Sequence, residues 1–143
     1  MEIEKKLALL KSMDTRTLIE KVHQYEDELD QAMMAEADFK SQNHSYLGSG
    51  DCLKVKEILA MLAIQAPETN EAGKKLTMAD KENWLQRQRA ENKELLDTIA
   101  KQRQVSFLLD DFEIRCEMAK KRLDSTRVVL TLKTAQINFL AGD

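Results

Sequence analysis

The sequence predicts an all-α protein, and its composition and periodicity support that class. Of 143 residues, 33% are charged and 5% are aromatic, with four Gly and one Pro. Gly and Pro mark the turns of β-rich and multi-strand α/β folds, so their scarcity argues against those folds. Charge-rich chains that are poor in aromatic residues are typical of long, solvated helices. The length is that of one domain, so we predict a single helical domain spanning residues 1–143.

The first long helix is predicted over residues 15–47. Its apolar residues step by threes and fours along one face: Leu18, Val22, Tyr25, Leu29, Ala32 and Phe39. This spacing is that of an amphipathic helix, and Glu36 is the one break in it. A shorter stripe in another phase, Ile3, Leu7 and Leu10, precedes it. The segment 12–15 between them is rich in residues that cap helices, so a helix can start there.

The few Gly and Pro residues divide the chain at two places. Gly48-Ser49-Gly50-Asp51 combines flexible and capping residues, which predicts the end of one helix and the cap of the next. Val55, Leu59 and Leu62 then form the stripe of a short middle helix over residues 52–66. The only Pro, Pro67, opens the segment 67–76, which we predict to be a loop.

The last segment is predicted to be one long helix over residues 77–141. Thr77 and Asp80 have the spacing of a capping box at its start. Between Thr77 and Leu140 there is no Gly and no Pro, and one series steps strictly by seven: Leu95, Gln102, Leu109, Cys116, Leu123, Leu130 and Ile137. An unbroken helix of this length measures more than about 90 Å. Such a stripe requires a packing partner.

A fold back at the central loop supplies that partner and predicts a long antiparallel helical hairpin, or coiled coil, with a short middle helix. Reversal near Ala72 would place Leu29 near Ile114. The acidic block at 26–30 would then lie opposite the basic residues at 115–122, which favours this alignment. A three-helix bundle folded at Gly48-Ser49-Gly50 is the alternative. The predicted seam of the hairpin, or of an oligomer, comprises Leu95, Ile99, Leu109, Phe112, Cys116, Leu123, Leu130 and Ile137. A two-helix hairpin buries only a narrow seam, so we predict a dimer.

The sequence predicts no catalytic, cofactor-binding or metal site, and no small-molecule substrate. It has no P-loop, G-x-G-x-x-G, G-x-S-x-G or H-E-x-x-H motif. His44, Asp51 and Cys52 are metal-ligand types without a zinc-like spacing, and His23 is expected at the surface. Two Cys, too few for a disulfide scaffold, and no long apolar run favour a cytoplasmic protein that does not enter membranes.

Basic residues cluster on the last helix and support an alternative function. The net charge of −3 does not favour a dedicated nucleic-acid-binding protein, and the clusters are expected mainly as solvated faces or as partners for helix-one acids. They could also contact phosphates, and Trp84 near Arg87 could stack on a base. The candidate nucleic-acid contacts are Arg87, Arg89, Lys93, Lys101, Arg103, Lys120, Lys121 and Arg122.

The segments 112–123 (FEIRCEMAKKRL) and 126–130 (TRVVL) resemble the end of small all-helical, coiled-coil hairpin proteins of temperate phages and prophages. Lys74-Lys75 followed by a long charged helix fits the same resemblance, which covers residues 73–140. Such proteins usually lie near recombination or replication genes. The resemblance implies a non-enzymatic interaction protein that acts by protein–protein contact, in phage DNA metabolism or against host defence. The alternative is an accessory protein that binds DNA ends or single strands.

Overall fold

The computed structural model describes Glu2, Glu4 and residues 15–140. The described part contains four α-helices and no strand, which confirms the all-α class. The helices are α1 (Thr15–Gln42), α2 (Leu53–Gln65), α3 (Met78–Glu91) and α4 (Lys93–Leu140), and a 3₁₀ turn (His44–Tyr46) follows α1. The early stripe of Ile3, Leu7 and Leu10, the residues 12–14 and the predicted helix end at 141 lie outside the described residues.

Two of the predicted helix boundaries differ from the structure. The first helix ends at Gln42 instead of Leu47, because the backbone of Asn43 departs from helical geometry (φ −115°, ψ 24°). Its Nδ2 donates to the Phe39 carbonyl oxygen, and the tighter 3₁₀ turn follows. The helix predicted over residues 77–141 is divided at Asn92, whose backbone is extended (φ −70°, ψ 117°). Asn92 ends α3 and starts α4, because its Oδ1 accepts a hydrogen bond from the Leu95 backbone N at 3.0 Å.

The described chain forms two compact units. The first comprises residues up to Asp38 and residues from Asp111, and the second is Phe39–Asp110. In the first unit, α4 packs against α1 in the antiparallel sense of the hairpin prediction. Glu26 pairs with Arg127 and Glu28 with Arg122. The residue later in α1 therefore pairs with the residue earlier in α4, as antiparallel helices require.

The register of this helix pair differs from the sequence estimate. Reversal near Ala72 would place Glu28 opposite Arg115, whereas its carboxylate lies 3.5 Å from the Arg122 guanidinium. Ala32 and Ala35 line one surface depression with Phe112 and Arg115. Judged by the Glu28–Arg122 and Glu26–Arg127 pairs, the alignment is therefore shifted by about two to three helical turns. The estimate assumed a simple reversal, but the residues between α1 and α4 form two further helices, a 3₁₀ turn and a loop.

The second unit has its own apolar core, in which α2 supplies most of the buried residues. The core consists of Cys52, Val55, Ile58, Leu62 and Leu95. Tyr46, Leu59, Trp84 and Ile99 pack around it. Val55 and Leu95 are 0% exposed. The first turns of α4 are held here by burial of Leu95.

Polar hydrogen bonds fix the connections of the second unit. The segment 67–76 is a loop in which Thr69 and Lys75 form an isolated bridge, and Asn70 accepts from the Gly73 and Lys74 backbone N atoms. The predicted capping box at the start of α3 is confirmed, since Asp80 N donates to Thr77 Oγ1 and Thr77 N donates to Asp80 Oδ2. Gly48 and Gly50 have positive φ (113° and 79°). Cys52, instead of Ser49 or Asp51, is the N-cap residue of α2.

Candidate functional site

The least exposed residues of the first unit form one row on each helix. On α1 these residues are Thr15, Leu18, Val22, Tyr25, Leu29, Ala32 and Glu36. On α4, the row that we call the inner row is Phe112, Cys116, Ala119, Leu123, Thr126, Leu130 and Lys133. Both rows advance by alternating steps of three and four residues, the spacing with which paired helices interlock their side chains. Residues from these rows that reach full burial are Leu18, Val22, Leu123 and Lys133.

The predicted seam residues are divided between the two units. Leu95, Ile99 and Leu109 lie in the second unit, where Leu95 belongs to the core and Ile99 packs against it. Phe112, Cys116, Leu123 and Leu130 lie on the inner row of the first unit. Ile137 continues the same spacing and is 44% exposed in the single chain, so its place in the seam stays a prediction.

Two buried polar residues of α4 were missed by the sequence analysis. Lys133 is 2% exposed and Thr98 is 9% exposed. Thr98 donates its Oγ1 hydrogen bond to the Glu94 carbonyl oxygen at 2.7 Å, which satisfies the buried hydroxyl. Lys133 lies three residues after Leu130, at the next position of the row. Inspection of the helical spacing for polar residues on the buried face of α4 would have found both. Lys133 was missed because a charged residue is expected to be solvated.

Four of the eight candidate nucleic-acid contacts are engaged within their own unit. Arg89 bonds to Asp51 at 2.8 Å, and the Lys101 ammonium lies 4.6 Å from the centre of the Tyr46 ring. Lys121 pairs with Glu117 at 3.3 Å. Arg122 pairs with Glu28 and also lies 5.5 Å from the centre of the Tyr25 ring. The remaining four, Arg87, Lys93, Arg103 and Lys120, are exposed.

The three basic candidates of the first unit do not form one patch. Lys120, Lys121 and Arg122 are consecutive on α4, so each is rotated by about 100° from the one before it. Arg122 faces α1, where it completes a small charge network with Glu28 and Tyr25. In the first unit the predicted pairing of acids on the first helix with bases on the last is therefore present for Glu26 and Glu28.

The second unit carries an open depression between its loop and α3. It has a volume of about 740 Å³, and Pro67, Leu76, Trp84 and Arg87 are among the residues that line it. Nearby, Gln102 Nε2 donates to the carbonyl oxygens of Gly48 and Gly50 at 3.2 and 2.6 Å, which holds the glycine segment against α4. Trp84 packs against the core, so its ring has a structural role and is only half exposed.

The exposed face of α2 carries large apolar side chains. Val55, Ile58 and Leu62 occupy its buried face. On the other side, Leu53 is 47% exposed, Met61 62% and Ile64 85%. A helix that is apolar on both faces is normally enclosed on both, so this face is typical of a protein-binding surface.

Side chains that could perform catalysis or bind a metal do not converge in the described residues. Among them, no group of three His, Cys, Asp or Glu side chains is placed to hold a metal ion. His23 Nδ1 lies 3.8 Å from Glu26 on an exposed part of α1, and Cys52 is buried in an apolar core. None of the helices in residues 15–140 combines the length and hydropathy that a bilayer-spanning segment needs.

Comparisons with protein-family models, with curated proteins and with solved structures find no match for this chain.

Proposed function

We propose that this chain is a non-enzymatic, phage-type helical interaction protein that acts in the bacterial cytoplasm by binding another protein. Its partner belongs to phage DNA metabolism or to host defence. The observation that carries the proposal is the exposed apolar face of α2, formed by Leu53, Met61 and Ile64. The chain itself is proposed to be a dimeric coiled-coil hairpin.

Side-chain chemistry supports protein binding at this face. Burial of one large apolar side chain stabilises a complex by about 1.5–3 kcal/mol, so Met61 and Ile64 together supply a substantial share of a binding free energy. Met is unbranched and adapts to irregular partner surfaces. Glu57 lies within this face, four residues after Leu53 and four before Met61, and pairs with Lys54 at 3.9 Å. A partner surface must therefore accept one ion pair among the apolar contacts.

The proposal is tested by site-specific crosslinking in bacterial cells. A photoreactive amino acid replaces Ile64 on α2 in one strain and the exposed Glu82 on α3 in another. We expect one protein to crosslink from position 64 and not from position 82. The captured protein, once purified, is expected to bind the wild-type chain in a calorimetric titration.

Matched methionine substitutions then assign the binding to α2. Met61→Lys is expected to weaken binding of the purified partner at least tenfold, because a charge replaces a buried apolar contact. Met33→Lys, at a comparably exposed methionine of α1, is the control and is expected to leave binding unchanged. Equal binding by both variants contradicts the assignment, and no specific adduct at position 64 contradicts the proposed function.

Nucleic-acid binding is the alternative, supported by the exposure of Arg87, Lys93, Arg103 and Lys120. Binding through phosphates would be measurable at about 50 mM salt and would weaken steeply by about 200 mM. Fluorescence anisotropy with labelled single-stranded DNA and with blunt duplex DNA checks this. Absence of binding at the lower salt concentration rules the alternative out.

A further inference from the structure

The face of α4 that points away from α1 in the first unit carries a second apolar row. This outer row consists of Ile114, Met118, Lys121, Ser125, Val128, Leu132, Ala135 and Phe139. Each member lies two residues after a position of the inner spacing, and two residues correspond to about 200° of rotation, so the two rows lie on opposite sides of the helix. Its large apolar members are between 54% and 81% exposed: Ile114, Met118, Val128, Leu132 and Phe139.

The equivalent face of α1 has a different character. Two residues after its least exposed positions lie Gln24, Asp27, Gln31, Met34 and Asp38, all exposed. That face is polar apart from Met34 and is suited to water. α1 exposes Ile19, Met33 and Met34, but the apolar row that continues along one outer face is on α4. Five large apolar side chains on one helix face indicate an interface.

We propose that the outer row of α4 binds the outer row of a second copy, antiparallel, about a two-fold axis at the level of Leu123. This inference rests on the dimer within the proposed function and assigns its face and direction. Met118 and Val128 lie five residues on either side of Leu123, and Ile114 and Leu132 lie nine on either side. An antiparallel two-fold arrangement consequently places Met118 against Val128 of the second copy, and Ile114 against its Leu132.

Lys121, the one charged member of the row, decides the direction of the pairing. An in-register parallel dimer would place Lys121 against Lys121 of the second copy, and such like-charge contacts are destabilising. The antiparallel arrangement places Lys121 opposite Ser125 of the second copy, beside its Asp124, so two equivalent Lys121–Asp124 pairs form across the axis. Arg122 does not oppose this arrangement, because its side chain is held towards α1 by Glu28 and Tyr25.

The length of the row sets the strength of the dimer. With the axis at Leu123, the rows of the two copies overlap from Ile114 to Leu132, which is about 27 Å at 1.5 Å per residue. With a width of about 10 Å, the overlap covers about 270 Å² on each copy. A total of about 540 Å² is below the size of stable specific interfaces, which corresponds to a weak, reversible dimer. We therefore expect dissociation at micromolar concentrations.

Analytical ultracentrifugation over a concentration series tests the face. The wild-type chain is expected to shift from monomer to dimer, whereas Met118→Lys is expected to stay monomeric over the same range. Met34→Lys is the matched control on α1, and it is expected to dimerise as the wild type does. Circular dichroism must show equal helix content in all three proteins, which separates loss of the dimer from loss of the fold.

Mixed disulfide formation tests the direction. With Cys116 replaced by Ala, Lys121→Cys and Ser125→Cys proteins are oxidised singly and as a mixture. The antiparallel axis predicts fast crosslinking between the two different variants and at least tenfold slower crosslinking within either one. A parallel dimer would instead crosslink each variant to itself.

Three results overturn the inference: a wild-type chain that stays monomeric, a dimer that persists in Met118→Lys, or preferential crosslinking of a variant to itself. Each is distinguishable from failure of the proposed function. Met118→Lys leaves the α2 face intact, so crosslinking of the protein partner from position 64 is expected to continue in that variant.

Discussion

At the scale of single residues, Leu95 determines the stability of the second unit. Its side chain is 0% exposed and belongs to the core with Val55 and Leu62. Leu95→Ala is expected to lower the free energy of unfolding by about 2–5 kcal/mol, because it removes buried methyl groups and leaves a cavity. Urea denaturation followed by circular dichroism measures this change.

The neighbouring Leu96 provides the matched control for that prediction. It lies on the same turn of α4 but is 44% exposed. Leu96→Ala is expected to change the free energy of unfolding by less than about 1 kcal/mol, since surface substitutions are usually small in effect. Equal losses from the two substitutions would mean that Leu95 is not a core residue.

Sequence analysis located the buried apolar residues better than the buried polar ones. Leu18, Val22, Leu95 and Leu123 all lie on the predicted stripes and are buried. Lys133 is buried as well, although its residue type predicts a solvated side chain. Heptad spacing specifies which face a residue occupies, whereas its burial depends on how far the opposite helix extends.

At the scale of the secondary-structure elements, Asn92 is the residue that separates α3 from α4. Its side chain caps α4 through the Leu95 backbone N. Asn92→Ala is expected to lower the free energy of unfolding by about 0.5–2 kcal/mol, the usual loss for an N-cap. Asn92→Asp keeps an acceptor oxygen and is expected to stay within a few tenths of a kcal/mol of wild type. Thermal unfolding of both variants measures the difference.

A second prediction for the secondary-structure elements concerns the backbone conformation of the glycine segment between α1 and α2. Gly50 has a φ of 79°, a backbone conformation that side chains with a Cβ adopt only with strain. Gly50→Ala is expected to cost about 1–2 kcal/mol of unfolding free energy. Ser49→Ala, at the exposed residue beside it, is the control and is expected to be near neutral. A neutral Gly50→Ala would indicate that the segment changes conformation.

The connection at Gly48 and Gly50 was predicted from the sequence, whereas the break between α3 and α4 at Asn92 was not. Gly48 and Gly50 lie between α1 and α2 with a positive φ that is incompatible with a helix, and Gly is the default residue for that conformation. Asn92 has no such conformational signature, since Asn also occurs inside helices. Its capping role depends on a hydrogen bond to Leu95 that only the folded chain reveals. The absence of Gly and Pro between Thr77 and Leu140 concealed the break.

At the scale of the whole molecule, the all-α class followed from composition and periodicity, but the candidate surfaces did not. The sequence stripes identify the faces that pack inside each unit. α2 and α4 each carry apolar residues on two faces, and the sequence does not show which face is buried. The structure distinguishes them by burial: on α2, Leu62 is buried whereas Ile64 is exposed, and on α4 the outer row is exposed. A stripe in sequence does not distinguish an intramolecular contact from an intermolecular one.

The two cysteines lie in different units, so their reaction rates with a thiol reagent measure the opening of each unit separately. Cys52 is 2% exposed in the core of the second unit, and Cys116 is half-buried on the inner row of the first. Under native conditions a thiol reagent is expected to label Cys116 before Cys52, because labelling of a buried thiol requires the unit to open. Mass spectrometry of the quenched reaction identifies each site.

Leu95→Ala then tests whether the second unit opens by itself. A loss of about 2 kcal/mol in the free energy of opening would accelerate labelling of Cys52 by about 30-fold. Labelling of Cys116 is expected to change much less, since Leu95 belongs to the core that contains Cys52. Equal acceleration at both thiols would instead mean that one cooperative transition governs the chain. The ratio of the two rates therefore measures how far a core built around α2 is energetically independent of the α1–α4 pair.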